Sequence, residues 1–368
     1  MIFKKSQTSQ ARKSAIRRLW LNGGTKIFKL SRARHAFTLI AMSCQNKDRR
    51  LRFWCPAYFC NRALGPLRQT GIEIVFYPVG RDMIPDWLAC ERLAAESPPD
   101  LFMLVHYFGS CNAIDQARSF CDWTGAKLIE DAAHLLGPAG EIGSLADFVC
   151  YSPRKFFRIP DGGLLIVRDS RGARRIQRII DEMPETAPGA VQSRVVRLKR
   201  GLKRLLRLEA GQSEALLSMP GHPARPSPEP FQHVLMSSVA EQALEHAVRR
   251  RRRIALIADK HSQFETSVRE ILKNVNRVEE IEKVDGATSW MGLRCKDETA
   301  AQSALNRLRE GGIRALNWPG QLPPEACSQE TPNRALHLRS TTILVLRPSR
   351  PRRARSLPGQ PRHAQAPG

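Results

Sequence analysis

Between Leu128 and Val167 the chain sets short apolar segments, acids and glycines in an order that leaves few folds open. Ala126-Lys127-Leu128-Ile129-Glu130-Asp131 reads as a buried strand that ends on an acid. Phe148-Val149-Cys150-Tyr151 reads as a second strand, and Leu164 to Val167 as a third behind Asp161-Gly162-Gly163. Upstream, a helix is expected over Arg34 to Cys44 and another over Asn61 to Thr70, closed by Gly71. Arg52 to Trp54, Ile72 to Tyr77 and Leu101 to His106 read as further strands. This alternation predicts an α/β fold with a mostly parallel sheet flanked by helices.

Open sheets of that kind bind ligands at the carboxyl ends of their strands. Asp131 closes one strand there, and Lys155 follows the next, so a carboxylate and an amine are expected at one edge. That pair suits pyridoxal phosphate, which needs a lysine to hold its aldehyde as an imine. It also needs a carboxylate to keep the pyridine nitrogen protonated while the ring acts as an electron sink. The bland alternatives are a solvated Arg154-Lys155 pair and an Asp131 that only caps the following turn. Capping and cofactor binding are compatible. His106 reads more readily as a core histidine than as a ligand.

Glu130-Asp131-Ala132-Ala133, Gly143-Ser144 with Asp147, Ser152-Pro153-Arg154-Lys155 and Asp161-Gly162-Gly163 resemble blocks of the DegT/DnrJ/EryC1/StrS sugar aminotransferases. Pro56-Ala57-Tyr58-Phe59-Cys60, Gly71 to Tyr77 and His106-Tyr107-Phe108-Gly109 extend the likeness, in order, over roughly residues 30 to 168. The second half is similar only at Gly312-Ile313 and Trp318-Pro319. The resemblance implies a fold-type-I aminotransferase-like architecture with a smaller C-terminal α/β domain. It implies that Lys155 forms the internal aldimine and acts as proton carrier, with Asp131 on the pyridinium. His134 falls near the cofactor's phenolic oxygen. It also implies an amino donor, a keto-sugar-like acceptor and a homodimer.

Two departures fall on the phosphate contacts. Cys150 stands where the family usually has a serine, and a thiol is a weak donor. Ser152 is the nearest hydroxyl. The family's small turn opening the first helix, where backbone N–H groups meet the anion, corresponds to Ala33-Arg34-His35, without glycine. The expectation is a pyridoxal-phosphate-dependent aminotransferase, and these departures leave open a catalytically weak or inactive one.

The chain has 368 residues, enough for a large and a small domain with separate cores. The expected division is a basic, loosely ordered lead-in over 1–30, a large cofactor-binding domain over 31–219 and a Pro-rich loop over 220–236. A helix and small domain follow over 237–347, then a disordered basic tail over 348–368. No apolar run approaches the ~18 residues that cross a bilayer, and no apolar stretch follows the charged N-terminus, so a cytoplasmic protein is expected. Nine scattered cysteines predict reduced thiols and no metal site. Thr341 to Leu346 reads as a last strand, after which low complexity replaces the ordered helix of the family. Loss of that helix, as through a frameshift, is the expectation.

A formal net charge of +24 is the feature least suited to a small-molecule enzyme. It concentrates in a basic amphipathic stretch from Arg194 to Arg207, in Arg249 to Arg253 and from Arg347 to Arg362. Such clusters attract phosphate backbones or anionic membrane surfaces. The rival class is therefore an aminotransferase-like protein that binds nucleic acid or a membrane surface through its arginines. No aromatic residues interleave with the clusters, and no reading motif accompanies them. A solvated charged face is the simpler account.

Overall fold

The computed structural model describes residues 14–183 apart from 22, 47 and 111–112, residues 231–317 apart from 232, 283–287, 289 and 314, and residues 323–328 and 343–346. The basic stretch 194–207, residues 220–230 of the Pro-rich segment, Trp318-Pro319 and the tail lie outside the described residues.

Seven strands form the principal sheet: β1 (Lys26–Leu30), β2 (Arg52–Pro56), β3 (Glu73–Tyr77), β4 (Leu101–Val105), β5 (Lys127–Asp131), β6 (Phe148–Tyr151) and β7 (Gly163–Val167). Their order is β1-β7-β6-β5-β4-β2-β3. The strands from β6 to β3 run parallel, and β7 is antiparallel to both of its neighbours. Every residue of β4 and β7 is buried, as expected of strands covered on both faces. The expected α/β architecture is therefore present, and Asp131 lies at the carboxyl end of β5.

Helices α1 (Ala15–Trp20), α2 (Arg34–Cys44), α3 (Gly65–Arg68), α4 (Trp87–Glu96), α5 (Ile114–Thr124) and α6 (Ser170–Glu182) cover this sheet. Helix α2 buries Phe37, Leu39 and Ile40, matching the expected span. The helix expected over Asn61 to Thr70 is broken into a 3-10 turn, Asn61–Ala63, and the single turn α3. Pro66 explains the break, since it lacks an N–H and its ring would collide with the preceding turn. Gly71 takes φ 73°, the left-handed conformation that closes α3.

From Ser14 onward the lead-in is more ordered than its composition suggested. Ala15, Ile16 and Trp20 are buried, and Trp20 Nε1 donates to Leu136 O at 2.9 Å. The Glu245 carboxylate accepts from Ala15 N at 2.5 Å, Ile16 N at 3.2 Å and Ser14 Oγ at 3.0 Å. These bonds satisfy amides that an isolated helix start leaves open. Strand β1 then pairs with β7 along its full length. The surrounding basic residues had masked the apolar positions Ile16, Trp20, Ile27, Phe28 and Leu30.

Helix α7 (Ser238–Arg249) and the longer α8 (Arg251–Leu272) lead to a second sheet. The two helices are separated at Arg250, which has φ −87° and ψ 84°. An unbroken helix would hold the arginines of 249–253 at repelling i,i+3 and i,i+4 spacings. Strands β8 (Val278–Glu280), β9 (Met291–Cys295), β10 (Ala315–Asn317) and β11 (Ile343–Leu346) form an antiparallel sheet ordered β10-β11-β9-β8. Helix α9 (Glu298–Glu310) packs on this sheet with α8, and α10 (Pro324–Ser328) contributes Ala326 to the larger core.

Candidate active site

The parallel strands present their carboxyl ends along one edge, where three loops meet. The first follows β5. Asp131 is buried, and its Oδ1 accepts the Ala133 N–H at 3.0 Å, so it does cap a local turn. Burial raises the Asp131 carboxyl above its usual range, and the Lys155 charge and the Ala133 N–H oppose that rise. His134 is buried three residues on. Its Nδ1 accepts the Phe108 N–H at 3.1 Å, which leaves the ring proton on Nε2. Burial first, then the Lys155 charge, hold this imidazole well below its ordinary range, so it is neutral at pH 7.

The second loop follows β6. Cys150 sits in the strand opposite Asp131, fully buried, and burial pushes its thiol well up. It is a neutral thiol and a weak hydrogen-bond donor. Ser152 is buried just past the strand, and Lys155 ends the 3-10 turn Pro153–Lys155. Lys155 is half-buried where Arg154 is exposed, so the solvated-pair reading describes Arg154 alone. Its charge acts on both Asp131 and His134, which brings acid, imidazole and amine together.

The third loop joins β1 to α2. Gly162 N donates to Ser31 O at 2.8 Å, and a Cβ on Gly163 would collide with the backbone of Arg32 and Ala33. The glycine pair is thus explained by close approach of two backbones, which sets the start of α2 beside the start of β7, the strand between β1 and β6. Ala33 and Arg34 lie there, both half-buried. Burial, then the neighbouring Arg32 and Arg62, lower the Arg34 guanidinium's pKa, the mark of a locally positive corner.

Other residues of the family-like blocks hold this edge in place. Asp147 Oδ2 accepts Leu128 N at 2.8 Å and Arg118 Nη1 at 3.1 Å. Asp161 receives Ser237 N at 2.9 Å and Ser237 Oγ at 2.6 Å, anchoring the start of α7. On the opposite face of β5, Glu130 Oε2 pairs with His106 Nε2 at 2.9 Å and accepts Gly143 N at 2.7 Å. Both side chains are fully buried, so His106 is a core residue as its sequence context suggested. Phe108 was not singled out from the sequence as a site residue. Its role depends on contacts with His134 and with the distant β9, which no local pattern announces.

These residues can be compared with known proteins. Residues 66–186 match the DegT/DnrJ/EryC1/StrS aminotransferase family. The resemblance read from the sequence is thereby borne out, and the matched segment carries Asp131, His134, Cys150, Ser152 and Lys155. The chain is 31% identical over 119 residues to the L-glutamine:2-deoxy-scyllo-inosose aminotransferase of Streptomyces paromomycinus. That match spans 30% of this chain and 28% of the relative's length.

The fold likeness is broader. Helicobacter pylori PseC, an aminotransferase involved in the biosynthesis of pseudoaminic acid, aligns with a TM-score of 0.58 at 15% identity. The alignment covers 88% of this chain and 82% of that one. NtdA of Bacillus subtilis, solved with bound PMP, aligns with a TM-score of 0.61 at 15% identity, over 89% of this chain and 70% of that one. At such identities the common property is the fold, which is that of the fold-type-I aminotransferases. No helix among the described residues is long and apolar enough to cross a membrane.

Proposed function

We propose that this chain is a pyridoxal-phosphate-dependent aminotransferase, moving an amino group from an amino acid to a keto-sugar-like acceptor. The observation that carries the reading is the buried Asp131 carboxylate within electrostatic reach of Lys155 at the carboxyl edge of the sheet. The donor set fits the cofactor's ring and aldehyde. One Asp131 oxygen is engaged by Ala133, as suits a carboxylate held rigid to face a ring nitrogen.

When bound, pyridoxal phosphate would supply the electron sink that lets an amino acid lose its α-proton. Lys155 would hold the cofactor through Nζ, and its free amine would carry that proton. Asp131 would keep the ring nitrogen protonated. His134, neutral and with Nδ1 occupied by the Phe108 N–H, would offer its Nε2–H as a hydrogen-bond donor to the cofactor. Ser152, Arg34 and the Ala33 amide form the anion side, with Cys150 contributing a thiol where a hydroxyl would bind better. The family resemblance supports a homodimer, a setting in nucleotide-sugar metabolism and a cytoplasmic location.

Purified protein with pyridoxal phosphate is expected to absorb in the visible through the lysine-bound cofactor, and Lys155→Ala should abolish the band. Absence of the band in the unmodified protein at saturating cofactor would overturn the proposal. Cys150→Ser should tighten cofactor binding by about tenfold, the size of one added hydrogen bond. Unchanged affinity would remove Cys150 from the anion side.

A further inference from the structure

Phe108 adopts φ 55° and ψ 14°, a left-handed conformation that bulky side chains avoid. Such backbone persists only where surrounding contacts over-determine it. Two sets of contacts do so here. On one side the Phe108 N–H donates to His134 Nδ1 at 3.1 Å, and the two rings stack with centroids 5.4 Å apart at 20°. On the other side lies Gly292 of β9, where a Cβ would stand 2.5 Å from Phe108 Cδ2 and 2.7 Å from Cγ. Only a residue without a side chain admits the ring this closely.

Neighbouring contacts follow the same path. Thr288, fully buried, packs its methyl against Gly109 and bridges to Leu135, the residue after His134. Thr288 Oγ1 donates to Trp290 O at 3.0 Å, fixing the approach to β9. The second sheet therefore reaches the edge of the first at Phe108 and Leu135, on either side of His134. A phenylalanine that served only to fill the core would have no need of a strained backbone or of a glycine seat on another sheet.

We infer that Phe108 is a positioning residue: seated on Gly292, it fixes the ring plane and the Nε2–H tautomer of His134, so that engagement of the second sheet sets the donor presented at the site. The functional meaning of that donor rests on the proposed aminotransferase reading. The positioning does not require a bound cofactor.

The test is imidazole nitrogen NMR on the full chain without cofactor, with the His134 signals assigned by their loss in His134→Gln. The unmodified protein is expected to show one Nε2–H tautomer. Gly292→Val, which touches Phe108 but not His134, should cause loss of the single-tautomer pattern, and Phe108→Leu should do the same. Gly292→Ala serves if the valine variant does not fold. Leu308→Ala, which loosens the second sheet's core away from Phe108, should leave the pattern intact. An unchanged His134 in folded Gly292 variants would overturn the inference, as would an equal change in Leu308→Ala. Because the readout needs no cofactor, a missing visible band and an unchanged tautomer pattern are separate failures.

Discussion

The two sheets are built from different materials. Around the first, Trp54, Tyr77, Trp87, Phe102 and Phe120 form a continuous ring cluster, with Tyr77 and Phe102 stacked at 4.7 Å. The buried core of the second consists of Val268, Leu272, Met291, Leu293, Cys295, Ala300, Ala301, Ala304 and Leu308, none of them aromatic, and Phe264 packs against it only partly buried. A buried aromatic removes far more apolar surface from water than an alanine does, so the first sheet holds most of the hydrophobic stabilisation. The side chains proposed to carry the chemistry are all on that side, while the second sheet meets them through Gly292 and Thr288. The contrast suggests a firm platform and a more easily loosened partner that trims one histidine.

The largest expected effect tests the platform. Phe102→Ala removes the centre of the ring cluster and should cost about 4 kcal/mol, seen as a lower denaturation midpoint with loss of structure throughout. Loss confined to the second sheet would break the comparison. Leu308→Ala should cost about 3 kcal/mol and act locally, so amide exchange should quicken in β9 and α9 while β5 and β6 stay protected. Equal acceleration in β5 would mean one cooperative unit.

Acid should weaken the platform through its buried imidazoles. Burial, aided by the Arg34 charge, lowers His35 from 6.5 to about 4. The unfolded chain then binds a proton that the folded chain refuses, so stability is lost as pH falls from about 6.5 towards 4. From pH 7 to pH 5 His35 should cost about 2 kcal/mol. His134 has the same sign. Urea midpoints at the two pH values should differ less in His35→Gln, and an identical difference would remove His35 from the account. Smallest is Glu245→Gln, expected to cost about 1 kcal/mol by weakening the bonds to Ser14, Ala15 and Ile16. Limited proteolysis should then cut more readily before β1.

Much of the first sheet was legible in the sequence because buried parallel strands announce themselves as short apolar runs between glycines. The helix over Arg34–Cys44 and the strands ending at Asp131 and Tyr151 appear where their patterns place them. Less legible was α1, whose few apolar positions are diluted by arginine and lysine, and whose stability comes from Glu245, 230 residues away from Ala15. The break at Arg250 was equally hidden, since helical periodicity continues across it. Among the candidate site residues, Asp131 and Lys155 could be named from residue type and order and His134 from the family resemblance, but Phe108 from neither. Its partners lie on two separate elements, and it reads locally as one more core aromatic.

Residue type and order alone determined that an acid and a lysine would emerge at one sheet edge, because strand alternation and the parallel connection of β5 to β6 dictate it. They also put a thiol, Cys150, near the end of the second of these strands. Tertiary structure alone decided the protonation state and orientation of the groups. Burial at the sheet edge keeps His134 neutral, Phe108 selects its tautomer, and the close approach of Gly163 to Ala33 sets the start of α2 against the start of β7. Those outcomes depend on desolvation and on contacts between segments far apart in the chain, quantities that no local stretch of sequence contains.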